Sequence, residues 1–259
     1  MEANQDRQEF KFLLPAEQSE AFRNFIAERI PVDRGAEGGY PVLSTYYDTA
    51  DRHSYWQKMW GVANRRRVRA RVYGAANGQI PPAAFIEIKH KQDANGVKRR
   101  ASLPLEELEE LAQGRIPYSL KEPERSSADR NLVEELKDLI IGEGARPVVQ
   151  VRYDRMAYDY GNDGTIRITF DSDLLCRFSL KPLTADDRDF SLQIMSEKMT
   201  VIEVKTIGPV PIWLREVTGK FHLSAQSVSK YCNALERFDP SVARLPLSQK
   251  NPTPLLRIL

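Results

Sequence analysis

The chain has 259 residues, 38 Lys plus Arg against 36 Asp plus Glu, a formal net charge of +2 and 41% hydrophobic residues. That apolar fraction supports a packed core and excludes a disordered chain, and the near-neutral total gives no reason to expect a nucleic-acid partner. Two cysteines, Cys176 and Cys232, exclude a disulfide scaffold, no C-x-x-C pair suggests zinc, and no apolar run is long enough to cross a bilayer.

The polar start, Met1 to Arg7, does not read as a signal peptide, so the expected location is cytoplasmic. Residues 7–14 (RQEFKFLL) alternate as a strand, and Pro15 opens a helix with Phe22, Phe25, Ile26 and Ile30 at helical spacing. After a loop at 33–39, strands are predicted at 40–47, 65–73, 84–91 and 97–103. Hairpin signals at Ala75–Gly78 and Asp93–Gly96 join the last three. Helices are predicted at 104–113 and 128–141, with Gly114 and Gly142 as C-terminal caps. Strands at 147–158, 165–171 and 199–207 follow, the first two joined at Asn162–Gly164. A helix near Pro211 and another over 226–237 close a domain spanning 1–239, and 240–259 reads as a Pro-containing tail. About eight strands joined largely by hairpins predict an α+β fold with an antiparallel sheet.

The strands segregate charge. Side chains alternate across a strand, so Arg7, Glu9 and Lys11 oppose Phe10 and Phe12, and Arg67, Arg69 and Arg71 oppose Val68, Ala70 and Val72. Glu87, Lys89 and Lys91 oppose Ile86 and Ile88; Arg167 and Asp171 oppose Ile166, Ile168 and Phe170; Glu203 and Lys205 oppose Ile202 and Val204. Arg152 and Arg155 fall on opposite faces. For any one strand, a half-exposed sheet with its charges in water accounts for the pattern. The set argues otherwise. Glu-x-Lys recurs at Glu9/Lys11, Glu87/Lys89 and Glu203/Lys205, and the amphipathic helices need the apolar face for themselves. A sheet curled on itself would then point its charged face into a lumen.

Ten cations (Lys11, Arg69, Arg71, Lys89, Lys98, Arg100, Arg155, Arg167, Lys205, Lys230) and four acids (Glu9, Glu87, Asp171, Glu203) would share that lumen, an excess of +6. Enclosed surplus charge is costly unless the site is wet and holds anions. A compact polyanion such as triphosphate or polyphosphate meets that demand, since guanidinium and ammonium groups suit phosphate oxygens. The acids either orient the cations or hold a divalent metal.

The ordered segments RQEFKF (7–12), STYYDT (44–49), VRARVYG (68–74), FIEIKHK (85–91), VKRR (97–100), RYDRMAY (152–158), RITFDSDL (167–174), VIEVK (201–205) and SVSKY (227–231) resemble the VTC domain. This is the polyphosphate polymerase domain of the vacuolar transporter chaperone, within the triphosphate tunnel metalloenzymes. The resemblance runs from Arg7 to about Phe238. It implies an antiparallel eight-stranded β-barrel tunnel with flanking helices, and Lys11, Arg69, Arg71, Lys89, Arg167 and Lys205 as catalytic. It implies phosphate binding by Arg155, Ser229, Lys230 and one of Lys98 and Arg100. Glu203 resembles the family's metal-binding glutamate, with Mn²⁺ or Mg²⁺ expected. The implied activity is transfer of the γ-phosphoryl of ATP to polyphosphate, with a triphosphate hydrolase or a non-catalytic polyphosphate-binding module as alternatives. ATP or another triphosphate and polyphosphate are the implied partners, and a membrane partner is left open.

Other motifs read as structural. Asp171-Ser172-Asp173 suits a turn better than a metal site. His90 lies on the apolar face, Trp56, Trp60 and Trp213 suit packing, and the acidic run at 105–110 suits a solvated helix face.

Overall fold

The computed structural model describes residues 7–33, 38–74, 83–92, 95–122, 126–160, 165–184, 187–195, 198–239 and 242. The turns expected at Ala75–Gly78 and Asn162–Gly164, residues 93–94 of the turn between them, and nearly all of the tail lie outside the described residues.

The strands are β1 (Arg7–Pro15), β2 (Tyr40–Asp48), β3 (Arg65–Tyr73), β4 (Ala83–Gln92), β5 (Asn95–Pro104), β6 (Arg146–Tyr160), β7 (Ile166–Arg177), the short β8 (Leu192–Gln193) and β9 (Met199–Ile207). The helices are α1 (Ala16–Ala27), α2 (His53–Met59), α3 (Leu108–Ala112), α4 (Ser127–Lys137), α5 (Ile212–Lys220) and α6 (Lys230–Phe238). Every ladder is antiparallel. The main path runs β1-β9-β7-β6-β2-β3-β4-β5, with β8 beside β7. This is the expected eight-strand antiparallel sheet, curled into a half-barrel. The curl brings one end, β1, within side-chain reach of β4, next to the other end, because Lys89 Nζ lies 3.8 Å from Glu9 Oε1.

The helices take the apolar convex face. Phe12, Ile168, Phe170, Ile202 and Val204 pack with Phe22 and Ile26 of α1 and Leu214 and Val217 of α5. Val68, Val72, Ile86 and Ile88 pack with Leu132 and Leu136 of α4 and Leu139 just beyond it. Register is thereby pinned: a one-residue slip of β1 would put Phe12 in the charged interior and Lys11 in the apolar layer. The third cluster lies on the β2–β6 part of the concave side, where Tyr231, Ala234 and Leu235 of α6 meet Tyr46, Val149, Val151 and Tyr153.

Several elements differ from the sequence-based expectation. Helix α2 was not anticipated. It is short, and the Asp48 carboxylate, one strand-end earlier, accepts its Ser54 and Tyr55 N–H groups at 2.9 and 3.1 Å. Gly142 is not a cap: α4 runs into a π-helical turn, Asp138–Gly142, and Gly144 takes the left-handed conformation at φ 72°. Gly114 does so after α3, at φ 80°, as expected. Helix α6 starts at Lys230 and not at 226, because Ser229 caps it by accepting from the Cys232 N–H. His90 is held outside the barrel by Glu135 of α4 at 2.6 Å, and both cysteines are buried and free.

The Phe22 ring is fully buried, 5.7 Å from Phe170 and 5.2 Å from Phe221. Phe22→Ala is therefore expected to cost about 3–5 kcal/mol. Urea unfolding should show this as a lowered midpoint at unchanged slope.

Candidate active site: a cationic channel

The ladders bring the predicted site residues onto the concave face. On β1 and β9, Lys11 lies opposite Glu203 and Glu9 opposite Lys205. Lys205 in turn faces Arg167 on β7, and Asp171 faces Arg155 on β6. Across the sheet Arg69 faces Glu87, Glu87 faces Arg100, and Lys89 faces Lys98. Directly opposed residues in an antiparallel pair share a face, so Lys98 and Arg100 both look inward. The choice between them dissolves. Their roles differ: Lys98 Nζ reaches Glu87 Oε1 at 3.2 Å, whereas the Arg100 guanidinium lies 4.8 Å over the Phe85 ring. Lys230, the first residue of α6, enters the same space and meets Asp171 at 2.7 Å. Arg167 lies at the margin, where Asp33 of the loop after α1 accepts from it at 2.7 Å.

Glu87 and Asp171 act as orienting counter-charges. Asp171 is fully buried and accepts from Arg155 Nε and an Nη at 2.6 and 2.8 Å, besides Lys230. Burial alone would push its carboxyl up; Arg155 and Lys230 reverse this and bring it down to about 2. Glu87, 1% exposed, accepts from Arg69 at 2.6 Å and lies 3.9 Å from Arg71. Burial again opposes ionisation, and Arg69, Arg71 and Lys98 bring the carboxyl down to about 2. Both acids already hold several cations apiece, which leaves Asp171-Ser172-Asp173 as no metal motif. Asp173 turns away in a left-handed conformation at φ 49° and is exposed.

A VTC-domain family model matches residues 6–238. The chain belongs to the VTC domain family. A curated relative, vacuolar transporter chaperone complex subunit 4 of Schizosaccharomyces pombe, is 29% identical over 149 residues, which is 51% of this chain and 20% of the relative. The matched region thus spans about a fifth of that protein. Among solved structures, a candidate adenylate cyclase from Bacillus halodurans superposes with a TM-score of 0.51 at 12% identity, covering 90% of this chain and 98% of that one. Another, from Vibrio parahaemolyticus, gives 0.42 at 12% identity over 87% and 95%. The first supports the shared tunnel-type fold.

The acids of this VTC domain separate into two kinds. Unlike Glu87 and Asp171, Glu203 stands within hydrogen-bonding reach of a second carboxyl group, Glu9. Lys205 Nζ lies 3.0 Å from Glu203, and Lys11 Nζ lies 3.0 Å from Glu9. Burial opposes ionisation of Glu203, but Lys11 and Lys205 hold it well below the usual carboxylate range. Two carboxyl groups side by side offer hard oxygens of the kind Mg²⁺ and Mn²⁺ accept, with the remaining positions left to ligands from outside the chain. Among the described residues no group of three or more His, Cys, Asp and Glu is placed to hold a metal, so the pair would need those outside ligands. The pair could supply part of a divalent ion's coordination shell.

Three channel residues stand outside the lumen set drawn from the sequence, Arg67 among them although its strand face was read correctly. Tyr46 lies opposite Arg69 in the β2–β3 ladder. Burial would push its phenol up, but Arg69, Arg71 and Lys230 bring it below its ordinary value. Tyr153 Oη accepts from Arg71 at 3.2 Å and Arg155 at 3.4 Å. Arg67 donates to Ser229 Oγ at 3.2 Å and lies 4.9 Å over the Tyr231 ring. Parity with Arg69 and Arg71 was a signal for Arg67; the tyrosines were masked by their apolar neighbours. Helix α6 owes its position to polar ties with the β2–α2 segment. Tyr231 donates to Asp48, Tyr55 donates to Glu236 at 2.7 Å, and Arg52 pairs with Asp239 at 2.8 Å.

The pH dependence follows from the depressed carboxyls. Glu87 and Asp171 titrate lower folded than unfolded, so their stabilisation is complete above the unfolded carboxyl value of about 4. It is lost as pH falls from there through about 2. Denaturation across this range should show stability falling with acid, and the double variant Glu87→Gln, Asp171→Asn should flatten the fall.

Proposed function

We propose that this chain is a polyphosphate-polymerase-type phosphotransferase, transferring the γ-phosphoryl group of ATP to the end of a polyphosphate chain inside the channel. The observation that carries the reading is the convergence of surplus cations from β1, β3, β4, β5, β6, β7, β9 and α6 on one concave face, with Glu87 and Asp171 already consumed in orienting them. Membership of the VTC domain family and the likeness to a vacuolar transporter chaperone subunit support it.

Phosphoryl transfer asks the protein mainly for position and charge. Arg69, Arg71 and Arg155 offer planar forks held by Glu87, Asp171 and Tyr153, so their free N–H groups are aimed before substrate arrives. Lys11, Lys89, Lys98, Lys205 and Lys230 supply compact charge along the same wall, with Arg100 and Arg167 toward its margins and the Ser229 hydroxyl at the start of α6. The nucleophile, a terminal phosphate oxygen, arrives ionised, so the residues need not act as a general base. A new P–O–P bond forms at the γ-phosphorus as its bond to the β-bridging oxygen breaks, and ADP leaves with that electron pair. Glu203, with Glu9 alongside, would hold Mn²⁺ or Mg²⁺, which when bound supplies further neutralisation of phosphate charge.

Pure protein with ATP and Mn²⁺ is expected to make long polymer visible on a gel. Release of phosphate without polymer would replace this reading with a triphosphate hydrolase, and no turnover would leave a binding module. Arg69→Ala is expected to lower kcat by about 10²–10³. Glu203→Ala should abolish the dependence of turnover on Mn²⁺ concentration; an unchanged metal titration would overturn its assignment as ligand.

A further inference from the structure

The two ends of the channel are built differently. At one end lie aromatic rings, with Tyr40 and Tyr73 6.1 Å apart and Tyr73 and Phe85 5.8 Å apart. At the other, where α6 packs, the supply of acids runs out. Along β3 and β4 the successive facing pairs are Arg69 with Glu87, Arg67 with Lys89, and Arg65 with Lys91. Only the first joins opposite charges. The next two set like charges directly across from one another, an arrangement sheets disfavour. Lys89 retains Glu9 at 3.8 Å. Among the described residues, Arg65, Arg67, Lys91 and the neighbouring Lys58 of α2 make no ion pair.

The segment before α6 crosses this end. The Gln226 N–H donates to the Lys11 carbonyl of β1 at 2.8 Å, Ser227 accepts from Lys58 at 2.8 Å, and Ser229 accepts from Arg67 at 3.2 Å. Arg67 Nε is buried with no hydrogen-bond partner among the described residues. Beside this row opens a polar recess of about 320 Å³, with Arg65, Lys91, His53 and Gln57 in its wall, and its one acid, Glu143, is held by Arg66 at 2.8 Å. Burial, and then the charges of Arg65, Arg67 and Lys91, presses Lys58 below its ordinary value. Arg65 is lowered in the same way by burial and Arg67. A repulsive cluster whose four members make no ion pair among the described residues, next to the cationic concave face, is a site that an extended polyanion would complete.

We infer that Lys58, Arg65, Arg67 and Lys91 form a second anion site, a mouth that holds the body of an extended inorganic phosphate chain while the reacting triphosphate lies deeper. The inference rests on the proposed function and adds to it a direction: the polymer lies toward the α6 end and not toward the aromatic end. A short tripolyphosphate held between Arg69, Arg155 and Lys11 would leave this mouth empty.

The test compares tripolyphosphate with long-chain polyphosphate by calorimetry across a salt series, using the full chain and the Lys58→Ala, Lys91→Ala double variant. Both side chains are removed from a like-charged cluster, so the melting temperature should hold or rise. The variant should bind the long chain about tenfold more weakly and lose about two from the slope of log K against log salt, one per lost phosphate contact. Its tripolyphosphate affinity should stay within about twofold of the parent. An unchanged long-chain affinity, or equal loss for both ligands, overturns the mouth. A parent protein that binds neither ligand overturns the proposed function itself, so the two failures are told apart.

Discussion

Confining like charge is the constraint on which this architecture turns. Cations on long side chains in water drift apart; cations on facing ladder positions cannot, because the backbone hydrogen bonds of the sheet fix where each one starts. The apolar convex face, buried under α1, α4 and α5, supplies the free energy that holds them together. The interior acids reduce the repulsion without cancelling it. Asp171 holds Arg155 and Lys230, and Glu87 holds Arg69 and Lys98. What remains is a standing electrostatic debt that a phosphate chain is suited to discharge.

Much of this was legible in the alternation of side chains. Where a strand carries strict period two, as in β1, β3, β4, β7 and β9, sequence reading identified the strand and the face together. Phe12, expected on the outside, is there in the cluster with α1. The reading weakened where the physics is not local. Tyr46 sits in YPVLSTYY, a run that looks apolar on both faces, and only its ladder partner Arg69 reveals its role. Helix α2 depends on a carboxylate outside itself. Lys98 and Arg100 stood undecided because VKRR alone does not say how β5 registers against β4; the ladder, with both opposite inward β4 residues, does. Arg152 and Arg155 take opposite faces because they stand three positions apart, and the nearby register shift places its extra residue on β7, beside Asp173.

Chemistry and packing meet at α6. Its Tyr231 belongs to an apolar cluster, yet the same ring lies under Arg67 and its hydroxyl ends on Asp48. The residues before and after Tyr231 therefore cannot be understood from the helix alone. Ser229 caps the helix and accepts from Arg67, and Lys230 completes the Asp171 cluster. One turn of helix thus carries structural and electrostatic duties that in the rest of the channel are divided between opposite faces of strands.

An incompletely closed barrel has two edge strands, and among the described residues β1 and β5 are the ones with a ladder neighbour on one side only. The Gln226 amide already occupies the Lys11 carbonyl of β1. Along β5, Lys98, Arg99 and Arg100 stand in succession, and a second copy approaching edge-on would meet them with its own identical run. Basic residues thus serve two ends here: those on the inward face concentrate positive charge in the concavity, and the run along β5 sets like charge against like at the sheet edge, which disfavours edge-to-edge pairing of two copies.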